Sequence, residues 1–368
     1  MSGKHVGFIG FGLIGGSIAR ALKEYRKNVT ITAYQRGSAP SHSLLLAKEE
    51  GVLDTITTAL SDFSACDMIF LCAPVQKNIE YLEQLKDIIS PDCLLTDVGS
   101  VKGNIHEQVE RVGLSHCFIG GHPMTGSEKT GYEHSSVVLL ENAYYILTPT
   151  SQTPAPLLEE YTSFVKTIGS IPIVLDPMEH DTITAAISHV PHIIAAQLVN
   201  LIQNSGSMEP KMRLLAAGGF KDITRIASSS PEIWENICMS NKTSICDMLT
   251  RYQNSLEEAK QMILSEERDA LYQMFDTAGN YRNSIPANSK GALMSSFELF
   301  VDIRDETGAL ALLATLLSLH GISIKNIGII HNREFEQGVL RIEFYDKDAV
   351  AKATKVLETN GYHIYVRE

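Results

Sequence analysis

The 368-residue chain lacks any unbroken apolar run of the roughly 18 residues that a bilayer-spanning helix needs, so no membrane span is expected. It also lacks a basic block. Its 31 Lys and Arg are outnumbered by 43 Asp and Glu, for a formal net charge of −12. That balance argues against nucleic acid or an anionic membrane surface as partner, and any anionic ligand must be met by a few local cations. Tryptophan occurs once, at Trp234. The six cysteines (66, 72, 93, 117, 238 and 246) show no CxxC spacing, and most sit in strand-like runs. They read as reduced thiols in a cytoplasmic protein. Met1-Ser2-Gly3-Lys4-His5 runs directly into an apolar stretch, so no signal peptide is expected. Repeats and low-complexity tracts are absent too. What remains is an ordinary globular composition, 44% hydrophobic and 20% charged, long enough for two or three domains.

Residues 1–175 alternate strand and helix patterns. Short apolar runs at 6–9, 30–34, 68–72, 94–97, 117–120, 144–147 and 172–175 are separated by helical patterns at 17–25, 43–50, 77–88, 103–112 and 156–168. This order predicts an α/β Rossmann-type domain with a mainly parallel sheet covered on both faces. Residues 176–283 carry helical periodicity only, with Pro191 expected to kink or break the first helix. Such a helical domain suits a substrate wall and dimer contacts. Residues 284–296 read as a linker, and 297–368 follow a βαββαβ order.

Gly10-Phe11-Gly12-Leu13-Ile14-Gly15-Gly16 lies between the first strand and the first helix. A glycine turn there lets backbone N–H groups approach a pyrophosphate, with the helix N-terminus behind them. Gly10, Gly12, Leu13, Ile14 and Gly15 are therefore assigned to a dinucleotide, together with Ala73 and Pro74 after the 68–72 strand. The second strand should end in an acidic residue for NAD, but Gln35-Arg36 stands there. Gln35 can bond a ribose hydroxyl without repelling a 2′-phosphate, and Arg36 can attract one. NAD is the expected cofactor, with NADP left open.

Three further segments are rich in polar residues. Asp97-Val98-Gly99-Ser100-Val101-Lys102-Gly103 follows a strand, where open parallel sheets bind ligands. His122 follows another, in a glycine-rich loop, and is a natural acceptor for a hydroxyl proton. In the helical region come Ser188-His189-Val190-Pro191-His192 and Gly218-Gly219-Phe220-Lys221-Asp222-Ile223-Thr224-Arg225. His189 and His192 are spaced to share a helix face, but no Cys or carboxylate cluster completes a metal site, and none is expected. Arg225 calls for a carboxylate partner, either a ligand's or an internal one such as Asp222. Together these suggest a dehydrogenase acting on a hydroxyl-bearing carboxylate.

GFGLIGGS, TDVGSVKG, GGHPMTGSEKTG, SHVPH and GGFKDITRIASSSPEIW, in that order, resemble the motifs of prephenate dehydrogenases. The 297–368 unit resembles an ACT domain, the layout of the Gram-positive bacterial form. The resemblance implies oxidation of prephenate by NAD(P)⁺ with loss of CO₂, giving 4-hydroxyphenylpyruvate for tyrosine synthesis. It implies His122 as the catalytic base and Ser100 as its orienting partner. Arg225, His189, His192, Ser188, Thr125 and Gly126 become substrate-pocket residues, and Trp234 packs nearby. Glu128, Asp222 and Lys221 correspond to a polar gate. Asp305, Gly308 and Asn326 mark the effector site, with L-tyrosine as feedback inhibitor and a homodimer as the assembly. Arogenate dehydrogenase and a non-catalytic tyrosine sensor are the competing readings.

Overall fold

The first strand buries its last four residues in succession rather than alternately, which only a sheet covered on both faces allows. The computed structural model describes residues 4–26, 28–37, 39–126, 129–285, 297–303, 306–330 and 338–365. The chain forms two units, Met1–Gly291 and Ala292–Glu368.

The first unit begins β1 (Lys4–Ile9), α1 (Leu13–Tyr25), β2 (Val29–Tyr34), α2 (His42–Glu49), β3 (Thr55–Thr57), β4 (Met68–Leu71), α3 (Val75–Leu85), β5 (Leu94–Asp97) and α4 (Gly103–Val112). Its strands pair in parallel in the order β3-β2-β1-β4-β5. Then come β6 (Ile119–Pro123), β7 (Tyr144–Pro149), α5 (Ala155–Thr167) and β8 (Ile171–Val174), a second sheet in which β6 and β7 are antiparallel. A bridge from Leu95 to Phe118 sets β6 beside β5. Phe8, Phe70, Tyr145, Tyr161 and Phe164 fill one face, while Phe63, Leu82, Ile105 and Phe118 fill the other. Each such burial contributes roughly 1.5–3 kcal/mol. The sequence reading missed β3, whose Thr-Ile-Thr is too short to show a pattern. It also placed His122 past its strand, whereas His122 lies inside β6, paired with Ile146. All six cysteines are free thiols.

The helical region comprises α6 (Pro177–Thr184), α7 (Val190–Gln203), α8 (Glu209–Leu215), α9 (Gly218–Thr224), α10 (Pro231–Ser240), α11 (Lys242–Leu264) and α12 (Arg268–Ser284). Pro191 does not break the first helix. A π-helical segment at Ala185–His189 joins α6 to α7 just before Pro191, and the helix runs on through it. The resulting 27-residue helix, Pro177–Gln203, has an 18-residue window of mean hydropathy 1.4, long and apolar enough to cross a bilayer by those measures alone. His180, Asp181, His189 and His192 within it are bonded inside the protein, as described below.

In the second unit β9 (Glu298–Ile303), α13 (Ala309–Leu319), β10 (Ile324–Ile330), β11 (Gly338–Phe344), α14 (Lys347–Thr359) and β12 (Ile364–Tyr365) follow the expected βαββαβ order. The sheet is antiparallel in the order β10-β11-β9-β12, and its core holds Leu299, Val301, Leu313, Leu317, Leu340 and Leu357. Register shifts between Ile324 and Asn326.

Candidate active site

The glycine turn is built by close approach. Gly10 has φ +90°, and a Cβ there would lie 2.5 Å from the Ala73 nitrogen, so the ends of β1 and β4 touch through glycine. A Cβ on Gly16 would lie 2.6 Å from the Tyr132 ring. Gly12 differs: a Cβ built on it meets nothing within 4 Å. It precedes α1, whose first turn carries no side-chain cap and no acidic residue. Unspent N–H donors and the positive helix end therefore face open space, which suits a pyrophosphate. Leu13 and Ile14 open that helix, and Gly15 packs against the Gly10 carbonyl and the Cys72 side chain. Ala73 donates its N–H to Asn78 Oδ1 at 3.1 Å, and Pro74 starts α3.

Gln35 is spent inside the protein. Its Nε2 donates to the Gly37 carbonyl at 2.9 Å, and its Oε1 accepts from the Ser41 N–H at 3.2 Å. At 8% exposure it holds the loop after β2, while Arg36 is exposed. Arg36, rather than the Gln35 amide, is turned to the surface here.

At the end of β5, Asp97 and Lys102 form an ion pair with both side chains wholly buried. Lys102 Nζ also donates to the Gly121 carbonyl at 2.8 Å, and the Gly121 N–H donates to Asp97 Oδ1 at 3.2 Å. Asp97 Oδ2 accepts the Gly99 N–H at 2.9 Å. Charges this deep persist only when every lone pair and proton is matched. Their effect is to clamp the turn carrying Ser100 to the residue before His122. Burial lowers the Lys102 pKa, opposed by Asp97.

Behind His122 lies a bonded chain. His122 Nδ1 is 2.8 Å from His180 Nε2, and His180 Nδ1 is 2.8 Å from Asp181 Oδ1. Asp181 also accepts the Lys102 and Gly103 N–H groups, each at 2.8 Å, and so caps α4. Burial, then His180, Lys102 and His189, holds His122 well below the ordinary histidine range. It is neutral at pH 7, the state in which an imidazole accepts a proton.

The helical region forms the facing wall. Asn241 Nδ2 donates to the Asp181 carbonyl at 2.7 Å and lies 3.2 Å from His189 Nδ1. His189, 1% exposed, is lowered by burial to about 4. His192 stacks on Trp234 with ring centroids 3.7 Å apart, and Trp234 meets His189 at 6.2 Å, so the two histidines share a face. His192 Nδ1 bonds the Ser188 carbonyl at 2.9 Å. Burial lowers His192, and the nearby Arg225 guanidinium lowers it further. Arg225 opens the 3-10 turn Arg225–Ser228, which packs on α7. His180, Asp181 and Asn241 thus connect His122 to His189, and Trp234 connects His189 to His192. Thr125, whose N–H bonds the Pro123 carbonyl at 2.7 Å, and exposed Gly126 continue from β6. Lys221 and Asp222 are exposed on α9. Glu128 and Asp305 lie outside the described residues.

The sequence reading missed His180, Asp181 and Asn241. The available signal was an adjacent His-Asp pair at the head of an otherwise apolar helix, since polar groups there must find partners once buried.

Residues 18–174 match the prephenate dehydrogenase nucleotide-binding domain, and residues 176–277 match the prephenate dehydrogenase dimerization domain. The first match begins just after the glycine turn. Prephenate dehydrogenase of Bacillus subtilis (strain 168) is 36% identical over 355 residues, covering 96% of this chain and 95% of that one. Among solved structures, prephenate dehydrogenase from A. aeolicus in complex with hydroxyphenyl propionate and NAD⁺ superposes with TM-score 0.72 at 32% identity, covering 78% of this chain and 99% of that one. Synechocystis arogenate dehydrogenase superposes with TM-score 0.69 at 28% identity, covering 77% and 100%. The chain belongs to the prephenate dehydrogenase family of NAD-dependent oxidoreductases.

Proposed function

We propose that this protein oxidises prephenate to 4-hydroxyphenylpyruvate and CO₂, with His122 as the base. The observation that carries the reading is the placement of His122 in β6, bonded to His180 and beside the clamped turn bearing Ser100. Gly10, Gly12, Leu13, Ile14, Gly15, Ala73 and Pro74 would hold the dinucleotide, with Arg36 near its ribose. When bound, NAD⁺ supplies the hydride acceptor. His122 takes the proton of the ring hydroxyl as that carbon loses hydride, and Ser100 orients the hydroxyl. Arg225 binds a substrate carboxylate, a charge-assisted contact of about 1.5–3 kcal/mol. His189, His192, Ser188, Thr125 and Gly126 line the pocket, and Glu128, Asp222 and Lys221 gate it. Loss of the ring carboxylate as CO₂ leaves its bonding electrons in an aromatic ring, so the reaction runs one way.

The likeness to Synechocystis arogenate dehydrogenase supports a second substrate reading. Steady-state kinetics with prephenate or arogenate, each with NAD⁺ or NADP⁺, separates them. Prephenate with NAD⁺ should give the highest kcat/KM, and a higher value with arogenate would overturn the choice. Exposed Arg36, with Gln35 turned inward, supports measurable use of NADP⁺; a very large preference for NAD⁺ would contradict it.

The second unit acts as an ACT module that binds L-tyrosine and inhibits the enzyme. Its βαββαβ order and β10-β11-β9-β12 sheet support this, as does Gly308, which enters α13 at φ +90°. Asp305, Gly308 and Asn326 would form the effector site. Deleting residues 297–368 should abolish tyrosine inhibition while turnover persists; persisting inhibition would place tyrosine elsewhere. The protein works as a homodimer through the helical region. Leu214, Leu215, Tyr272, Phe275 and Tyr281 are each more than two-thirds exposed there, a surface that suits a second copy. Light scattering should give twice the chain mass.

A further inference from the structure

We propose that His180 and Asp181 are positioning residues for His122: they fix its tautomer so that Nε2 is the bare nitrogen, and they place a carboxylate behind it for the charge it gains. The inference rests on His122 being the base.

The argument follows the hydrogen bonds outward from the carboxylate. Both Asp181 oxygens accept backbone N–H groups, from Lys102 and Gly103, so Asp181 is the acceptor end of the chain. His180 Nδ1, 2.8 Å from Oδ1, therefore donates. A neutral imidazole has one donor and one acceptor nitrogen, which leaves His180 Nε2 as an acceptor. Its partner at 2.8 Å is His122 Nδ1, so that nitrogen carries the proton and His122 Nε2 does not. His180 is wholly buried and Asp181 is 3% exposed, so water does not compete for these bonds. The arrangement resembles the way a buried carboxylate orients a base histidine, with a second imidazole inserted between them.

In the reaction the substrate O–H bond breaks and an N–H bond forms at His122 Nε2. The proton rests there until it returns to the same oxygen as the ring aromatises, and none crosses to His180. The positive charge on His122 is stabilised through the polarised His180 ring by Asp181.

Two variants separate this role from packing. His180→Gln can still donate to Asp181 and accept from His122, whereas His180→Leu can do neither. Histidine-selective ¹⁵N NMR on the full-length protein without substrate, assigned against His122→Asn, reads the tautomer directly. We expect Nδ1–H with bare Nε2 at His122 in the wild type and in His180→Gln. His180→Leu should lose that preference, and its kcat with prephenate should fall about tenfold or more with KM for NAD⁺ unchanged, part of the 10²–10⁴ that a base supplies. His180→Gln should stay within about tenfold of wild type. An Nε2–H tautomer in the wild type would overturn the inference, as would wild-type kcat in His180→Leu or equal losses in both variants. If His180→Leu does not fold, the wild-type and His180→Gln spectra decide. Failure of the wild type to oxidise prephenate would overturn the substrate reading alone, because the tautomer is read without substrate.

Discussion

At the scale of single residues, the site depends on buried polar groups whose partners are all supplied by the chain. Lys102 is the sharpest case. Replacing it with methionine leaves Asp97 charged, dry and short of its strongest partner. Lys102→Met should lose about 3–5 kcal/mol in denaturant unfolding, and adding Asp97→Asn should recover part of it. A single variant of wild-type stability would remove the clamp from the account. Histidine burial gives a second prediction. His106, bonded to Thr148 and lowered to about 4 by burial and then by Lys102, stays neutral in the fold but takes up a proton when unfolded below about 6.5. The unfolded state thus binds more protons between those values, and stability falls as pH falls through that window. Each such histidine costs up to about 1.4 kcal/mol per pH unit. Urea midpoints at pH 7 and pH 5 should converge in His106→Gln relative to wild type, and an unchanged slope would contradict this.

At the scale of elements, strands and helices with long patterns were legible, and the ones that depend on distant partners were not. β1 and the glycine turn could be read because a buried parallel strand and a φ +90° glycine each leave a local mark. β3 left none, because three residues become a strand only by pairing with β2. Pro191 marks a change of helical pitch rather than a break, since a π segment precedes it and the helix continues through it. Gln35 stands where cofactor binding usually places an acid, but it bonds Gly37 and Ser41, which no residue count reveals. The turn itself makes a sharp prediction. Gly10→Ala should destabilise the fold, because its Cβ meets backbone and its φ is left-handed. Gly12→Ala meets no protein atom, so it should keep its melting temperature yet bind NAD⁺ at least about tenfold more weakly, a loss of about 1.4 kcal/mol. Equal NAD⁺ affinity by calorimetry would move the pyrophosphate elsewhere.

At the scale of the whole molecule, the order of parts was legible from the change in periodicity: strand and helix, then helix alone, then βαββαβ. What was not legible is how the helical region completes the chemistry of the sheet. Asp181 and Asn241 join the head of α4, the π segment and α10–α11 into one bonded network with His122 at its end. Sequence separation hides such contacts, since Lys102 and Asp181 lie 79 residues apart. The central claim is that this network serves a base at His122. The direct measurement compares wild type with His122→Asn for prephenate turnover and, on the same samples, for NAD⁺ affinity. The account predicts kcat lower by about 10²–10⁴ with NAD⁺ affinity unchanged; near-wild-type turnover in His122→Asn would contradict it.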